Sequence, residues 1–172
     1  MPEIIADAGD PAANSYLTLE EADELMDSVL EWKAWADFED DDRARILISG
    51  SRLIDQYKPW GPKSDPEQRM AFPTDKDPDG SGGFKVFDEV KNALIEYCRH
   101  MSRGDLLELK RLQAEGVTNS STLGQSTTLS EDRSELPAGA RRELDKAWTR
   151  HNSPQGGNGY PYEEKDCGSI FG

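Results

Sequence analysis

Ala22, Leu25, Met26, Val29 and Leu30 fall at the three- and four-residue spacing of one helix face. Thr18-Leu19-Glu20-Glu21 precedes them as a capping box, Thr18 acting as N-cap and Glu21 reaching back to it. Together they predict a first helix over about 19–30. Trp32, Trp35 and Phe38 follow in a short helical or turn segment. The next periodic block, about 41–57, has two stripes: Ala44, Leu47, Ile48, Ser51 and Ile54, then Ile46, Gly50, Leu53 and Tyr57. Two stripes imply burial around much of the circumference, as for the central helix of a bundle or one at a subunit contact. Gly50-Ser51 would let a neighbouring backbone come close. Asp40-Asp41-Asp42 reads as the N-cap of this helix with a favourable dipole interaction, in preference to a metal site.

A third block over about 87–112 carries Val90, Ala93, Leu94, Tyr97, Cys98 and Met101, then Leu106, Leu109 and Leu112. Asp88 is its expected N-cap, and Gly104 marks a kink or a split. Residues 116–135 are rich in Ser and Thr and predict a weak β-hairpin about Gly124. Pro137 opens a last helix to about 150, with Ala140, Leu144, Ala147 and Trp148. The fold class is therefore mainly α: a small helical bundle with a weak β-hairpin and extended N- and C-terminal arms. The expected organisation is an extended N-terminal arm (1–15), a helical domain (16–150, with 116–135 as a hairpin or loop insertion) and an extended C-terminal tail (151–172).

Between the second and third long helices lies Tyr57–Pro73, which turns at Pro59-Trp60-Gly61-Pro62 and closes on Phe72-Pro73. Proline fixes φ and forces the preceding residue into extended geometry, so this connection is not helical. Trp60 and Phe72, with Pro73, are expected to pin it as structural anchors against the 41–57 and 87–101 helices.

Composition adjusts this picture at the edges. Of 172 residues, 35% are hydrophobic and mean hydropathy is −0.79, low for a chain wholly committed to a core. The C-terminal stretch is Gly, Pro and polar, with Tyr160, Tyr162, Ile170 and Phe171 as its only bulky anchors. Four anchors do not offset the entropy of ordering 22 residues. The tail is expected to be disordered in the free subunit or folded onto a partner through those four side chains. A net charge of −14 argues against a general nucleic-acid or anionic-membrane binder, leaving room for a local basic face. Two cysteines, Cys98 and Cys167, read as free thiols in a reducing compartment. No stretch has the length of a membrane span, and the N-terminus lacks a signal-peptide pattern, so synthesis in the cytoplasm is expected.

Chemistry is sparse. Asp75, Asp77 and Asp79 followed by Gly80 imitate the start of a calcium loop, yet Val86 stands where the bidentate Glu belongs, and a flexible acidic loop is the plainer reading. Gly80–Gly83 is not followed by the Lys-Ser/Thr of a phosphate cradle. His100 and His151 have neither metal spacing nor a neighbouring nucleophile, and read as solvated surface histidines. No catalytic residue, metal ligand or cofactor is assigned, and no enzymatic activity is expected. Arg142, Lys146 and Arg150 form an i, i+4, i+8 basic face; it suits phosphate or an acidic neighbour, although a solvated face is the plainer reading.

Asn14-Ser15-Tyr16-Leu17-Thr18-Leu19-Glu20-Glu21-Ala22-Asp23 resembles an N-terminal signature, Asn-Ser-Tyr-Val-Ser/Thr-x-x-Glu-Ala-Asp, of a tailed-bacteriophage neck family. Ser51-Arg52-Leu53-Ile54-Asp55 resembles the end of that family's next helix. Trp60-Gly61-Pro62-Lys63 with Gln68, Met70 and Phe72-Pro73 resembles its Trp/Gly…Gln…Pro element, and Val90-Lys91-Asn92-Ala93 with Glu96 matches the helix after it. Departures are Phe72 where Trp is common and Thr74 where Arg usually follows the Pro. Such proteins are often labelled DnaT-like single-stranded-DNA-binding proteins, and they also look like head-tail connectors. The resemblance implies a structural head-tail adaptor, a homo-oligomeric ring, dodecameric in such connectors, in the virion neck. It would extend the DNA channel beneath the portal protein and meet a tail-side neck or tail protein, with DNA passing through the lumen without specific binding and no membrane involved. The alternative it carries is a DnaT-like single-stranded-DNA-binding accessory protein.

Overall fold

A computed structural model of the chain describes residues 2–103, 119–122, 125–128 and 136–152. Within them the order is α1 (Leu19–Asp27), α2 (Trp32–Ala36), α3 (Asp40–Ile54), α4 (Asp88–Ser102), β1 (Asn119–Thr122), β2 (Gln125–Thr128) and α5 (Ala138–Asn152). The fold is mainly helical, as the periodicity predicts. β1 and β2 pair antiparallel with Thr122 opposite Gln125. The expected helical continuation through Leu106, Leu109 and Leu112, the Gly104 kink, Cys167 and the four tail anchors lie outside the described residues.

α4 is the hub. It buries Val90, Ala93, Leu94, Ile95, Tyr97, Cys98 and Met101, and α5 packs along it through Ala140, Leu144 and Ala147. α3 also packs on α4, and α1 and α2 complete that side. Six positions of the two stripes read from the sequence are buried in α3 (Ala44, Ile46, Leu47, Gly50, Ser51 and Ile54), while Ile48 and Leu53 are only partly buried. The residue side chains rather than a backbone fill the space at Gly50: an added Cβ would lie 2.6 Å from both Leu94 Cδ1 and Tyr97 Cδ1.

Element boundaries differ from the sequence reading for local reasons. α1 stops at Asp27 because the Ser28 hydroxyl donates to the Leu25 carbonyl and the chain turns through Val29. Leu30, expected in the helix, is 95% exposed. Glu39, not Asp40–Asp42, is the N-cap of α3 and makes no side-chain cap bond; the three aspartates occupy the first turn, where the dipole favours them. Likewise Phe87 caps α4 in extended geometry and Asp88 begins the helix. Tyr57 falls beyond α3, since Pro59 disfavours helical geometry at Lys58. The N-terminal arm folds back on itself: Asn14 and Ser15 amides donate to the Ile5 carbonyl, and Asn14 Oδ1 accepts from the Ile5 amide. Ala13 is fully buried. Among the described residues no helix is long and apolar enough to cross a membrane.

Candidate functional site

The segment from Asp55 to Phe87 has no regular element, so polar side chains must satisfy its backbone. Three of them do most of it. Asp55, at the end of α3, accepts from the Tyr16 hydroxyl and from the Ala71 amide (3.0 Å), and the Tyr16 oxygen accepts from the Phe72 amide (3.3 Å). Tyr16 also donates its backbone N–H to Ser51 Oγ. Burial, followed by the charge of Asp55, holds the Tyr16 phenol well above its ordinary pKa, so it stays a donor. Gln68 Oε1 accepts from Ser64 Oγ and the Asp65 amide, while Nε2 donates to the Met70 and Pro73 carbonyls. Lys63 Nζ donates to the Gln68 and Arg69 carbonyls.

Asp77 is the third. It is fully buried and accepts from Trp60 Nε1 (2.7 Å), the Thr74 amide (2.6 Å) and Thr74 Oγ1 (2.9 Å). The acidic loop reading therefore fails at its centre: Asp77 is an internal acceptor, and Asp79 folds a surface turn by accepting from Ser81 and the Gly83 amide. Gly80 and Gly82 have φ of 84° and 99°, which side-chain-bearing residues rarely adopt. Among the described residues no group of three or more His, Cys, Asp or Glu is placed to hold a metal ion.

Trp60 (3% exposed) and Phe72 (fully buried) pack with ring centroids 4.4 Å apart, Phe72 packs against Tyr16 at 6.1 Å, and the Phe72–Pro73 peptide is cis. Their ring partners are each other, Tyr16 and His151, and both rings belong to the same buried cluster as Ile54 of α3 and Val90 and Leu94 of α4. His151 is not a solvated surface histidine. Its ring lies between Trp60 (5.2 Å, 6°) and Phe87 (5.2 Å, 27°), with Nε2 buried, making no hydrogen bond, 3.7 Å from Asp77 Oδ1. The sequence gives no sign of this, because Trp60 and Phe87 lie 91 and 64 positions away. His151 and Asn152 thus belong to α5 and not to the tail.

Of the basic face, Lys146 pairs with Glu143 (2.6 Å) and Arg150 with Glu89 on α4, while Arg142 is exposed. Beside it, Lys58 Nζ stands 5.7 Å from the Trp148 ring, and the Tyr57 hydroxyl donates to Asp145. Burial and that contact raise the Tyr57 pKa to about 12. Other cations are also committed: Arg43 to Asp23 and Asp40, Arg45 to Asp41 and Asp42, and Arg99 and Arg103 to Glu31. Cys98 is fully buried and its thiol pKa is pushed far up by desolvation, so it is no nucleophile.

Charge is unevenly placed. Residues 19–42 hold eleven acidic side chains against Lys33 alone, ten of the net fourteen negative charges. Residues 43–152 hold seventeen acids and eighteen bases. The negative field belongs to the α1–α2 end and the start of α3.

A family described as "Putative DnaT-like ssDNA binding protein" matches residues 1–141, and the chain belongs to it. No curated protein and no solved structure matches the chain. The match ends within α5, so Arg142, Lys146, Arg150 and His151 lie beyond it.

Proposed function

We propose that the chain is a non-enzymatic head-tail adaptor of a tailed phage, a ring subunit of the virion neck that meets the portal on one side and a tail-side protein on the other. The observation carrying this reading is that the side chains of the signature are engaged in contacts within the chain. Tyr16, Thr18, Glu21, Asp23, Asp55, Trp60, Gln68 and Phe72 are occupied in caps, buried hydrogen bonds and ring contacts. Side chains engaged in this way hold a scaffold together, which suits a structural subunit better than a catalyst. Gripping single-stranded DNA calls for a basic groove lined with stacking aromatics. Here Trp60 is buried and many of the surface cations are engaged by carboxylates of the same chain. Binding of the purified protein to its portal, followed by co-sedimentation, tests the reading; failure to co-sediment overturns it.

The family description names single-stranded DNA and not a neck role, and it favours the second reading, a DNA-binding accessory protein. Lys58 over the half-exposed Trp148, with Arg142 on the same helix, is the local feature that suits it. Titration of fluorescent single-stranded DNA at low salt separates the two. Binding tighter than about 1 μM with a steep loss on adding salt supports the accessory protein, and its absence supports the adaptor.

A further inference from the structure

Large apolar side chains stand in solvent where α1 turns into α2. Leu30 is 95% exposed, Trp32 41% and Leu25 37%. The turn is fixed from both sides. Met26 before it and Trp35 after it are buried, and Trp35 Nε1 donates to Asp23 at 2.7 Å. Between Leu30 and Trp32, Glu31 is held by Arg99 and Arg103, each at 3.0 Å. Leu30 therefore cannot turn into the core without undoing those contacts. Next to it, Leu25 and Val29 line, with Ile95 of α4, a groove of about 380 Å³ bordered by α5.

Charge identifies the partner. The groove's own carboxylates, Glu96 and Glu143, are paired with Arg99 and Lys146. Glu24 and Asp27, exposed on the same stretch as Leu25 and Leu30, have no ion-pair partner among the described residues. They belong to the 19–42 segment, whose eleven acids face Lys33 as the only base. An apolar patch beside unbalanced negative charge marks an interaction surface for a partner that is apolar and basic. A helix with leucine-like residues on one face and Lys or Arg on the other presents both, and such helices lie with the apolar face in a groove. The chain itself does not supply one with net positive charge. The stretch after Arg103 sets Asp105 and Glu108 against Lys110 and Arg111, and the C-terminal stretch sets Glu163, Glu164 and Asp166 against Lys165. We infer that the Leu25/Leu30/Trp32 corner and its groove dock a cationic amphipathic helix of a different protein. The inference rests on exposure and charge, and is independent of the adaptor reading.

The test uses full-length protein without portal or DNA, so its failure is distinct from failure of the adaptor assay. The probe is a fluorescent synthetic peptide of about 18 residues, long enough for several helical turns, with leucines on one face and lysine and alanine on the other. A peptide of the same composition, scrambled to abolish the apolar face, is the control. Fluorescence anisotropy at low salt reads binding. Wild type is expected to bind the amphipathic peptide with Kd of about 10 μM, more weakly as salt is added, and the scrambled one at least about tenfold more weakly. Leu30→Ser removes apolar surface without changing charge, and Glu24→Lys with Asp27→Lys reverses the charge. Each is expected to weaken binding about tenfold. Glu67→Lys with Asp75→Lys makes the same change of charge in the loop after α3, and is expected to weaken it less than about threefold. All five side chains are exposed, and thermal melts confirm that each variant folds. No binding, equal binding of the scrambled peptide, no effect of Leu30→Ser, or equal losses from the two charge-reversed pairs overturns the inference.

Discussion

The His151 ring lies flat on the Trp60 indole, 5.2 Å away and 6° from parallel, and so ties the last turn of α5 to the loop that leaves α3. Phe87 closes the other face of the imidazole. The loop that leaves α3 and the start of α4 thereby hold the last turn of α5 in place. His151→Ala removes both ring contacts and is expected to cost about 1–3 kcal/mol of stability. His151→Phe keeps the stack and removes the unpartnered nitrogen, and is expected to stay within about 1 kcal/mol of wild type. Denaturant unfolding measures both. Equal losses for the two variants would show that the stack is not what holds the helix end.

Asp55 joins three distant segments through the Tyr16 hydroxyl and the Ala71 amide. Asp55→Ala leaves both donors buried without an acceptor, at an expected cost of about 2–4 kcal/mol. Tyr16→Phe and the double variant complete a cycle. The double variant is expected to be more stable than the sum of the single losses implies, because one hydrogen bond is counted in both. Strict additivity in urea unfolding would mean that the pair is not coupled.

Gly50 faces Leu94 and Tyr97 so closely that a methyl group has no room. Gly50→Ala gains helix propensity of about 1 kcal/mol, yet it must push those side chains apart, at about 1–3 kcal/mol. A net destabilisation is expected in thermal melts. A rise in melting temperature would show that α3 and α4 separate without cost.

Hydrogen bonds from Arg99 and Arg103, with Arg99 the larger influence, hold the Glu31 carboxyl below its ordinary pKa. Since the unfolded chain binds that proton more readily, the contribution is complete above the unfolded value of about 4.3 and is lost as pH falls through the lower native value. Glu31→Gln is therefore expected to be less stable than wild type at neutral pH, with the gap closing in acid. A gap that persists unchanged below about pH 3 would exclude this origin.

Much of the fold was legible because its causes are local. The Thr18/Glu21 capping box forms as read, and α3 buries most of the first predicted stripe with Ile46 and Gly50 of the second. Trp60 and Phe72 end in the core, as two aromatics bounding a proline-rich connection suggest. What escaped depends on partners far along the chain. Asp77 looks like one more loop aspartate until Trp60 and Thr74 converge on it, and His151 looks solvated until Phe87 and Trp60 enclose it. Leu30 escaped for the opposite reason: it keeps helical spacing with Met26, but Ser28 ends the helix first. A net charge of −14 also concealed its own distribution, since residues 43–152 are nearly balanced.

If this scaffold serves assembly, as proposed, electron microscopy of purified portal rings with and without the full-length protein will show it. An added ring of density is expected at the narrow end of the portal, continuous with its channel, only when the protein is present. Portal particles unchanged by a saturating excess of folded protein would contradict it.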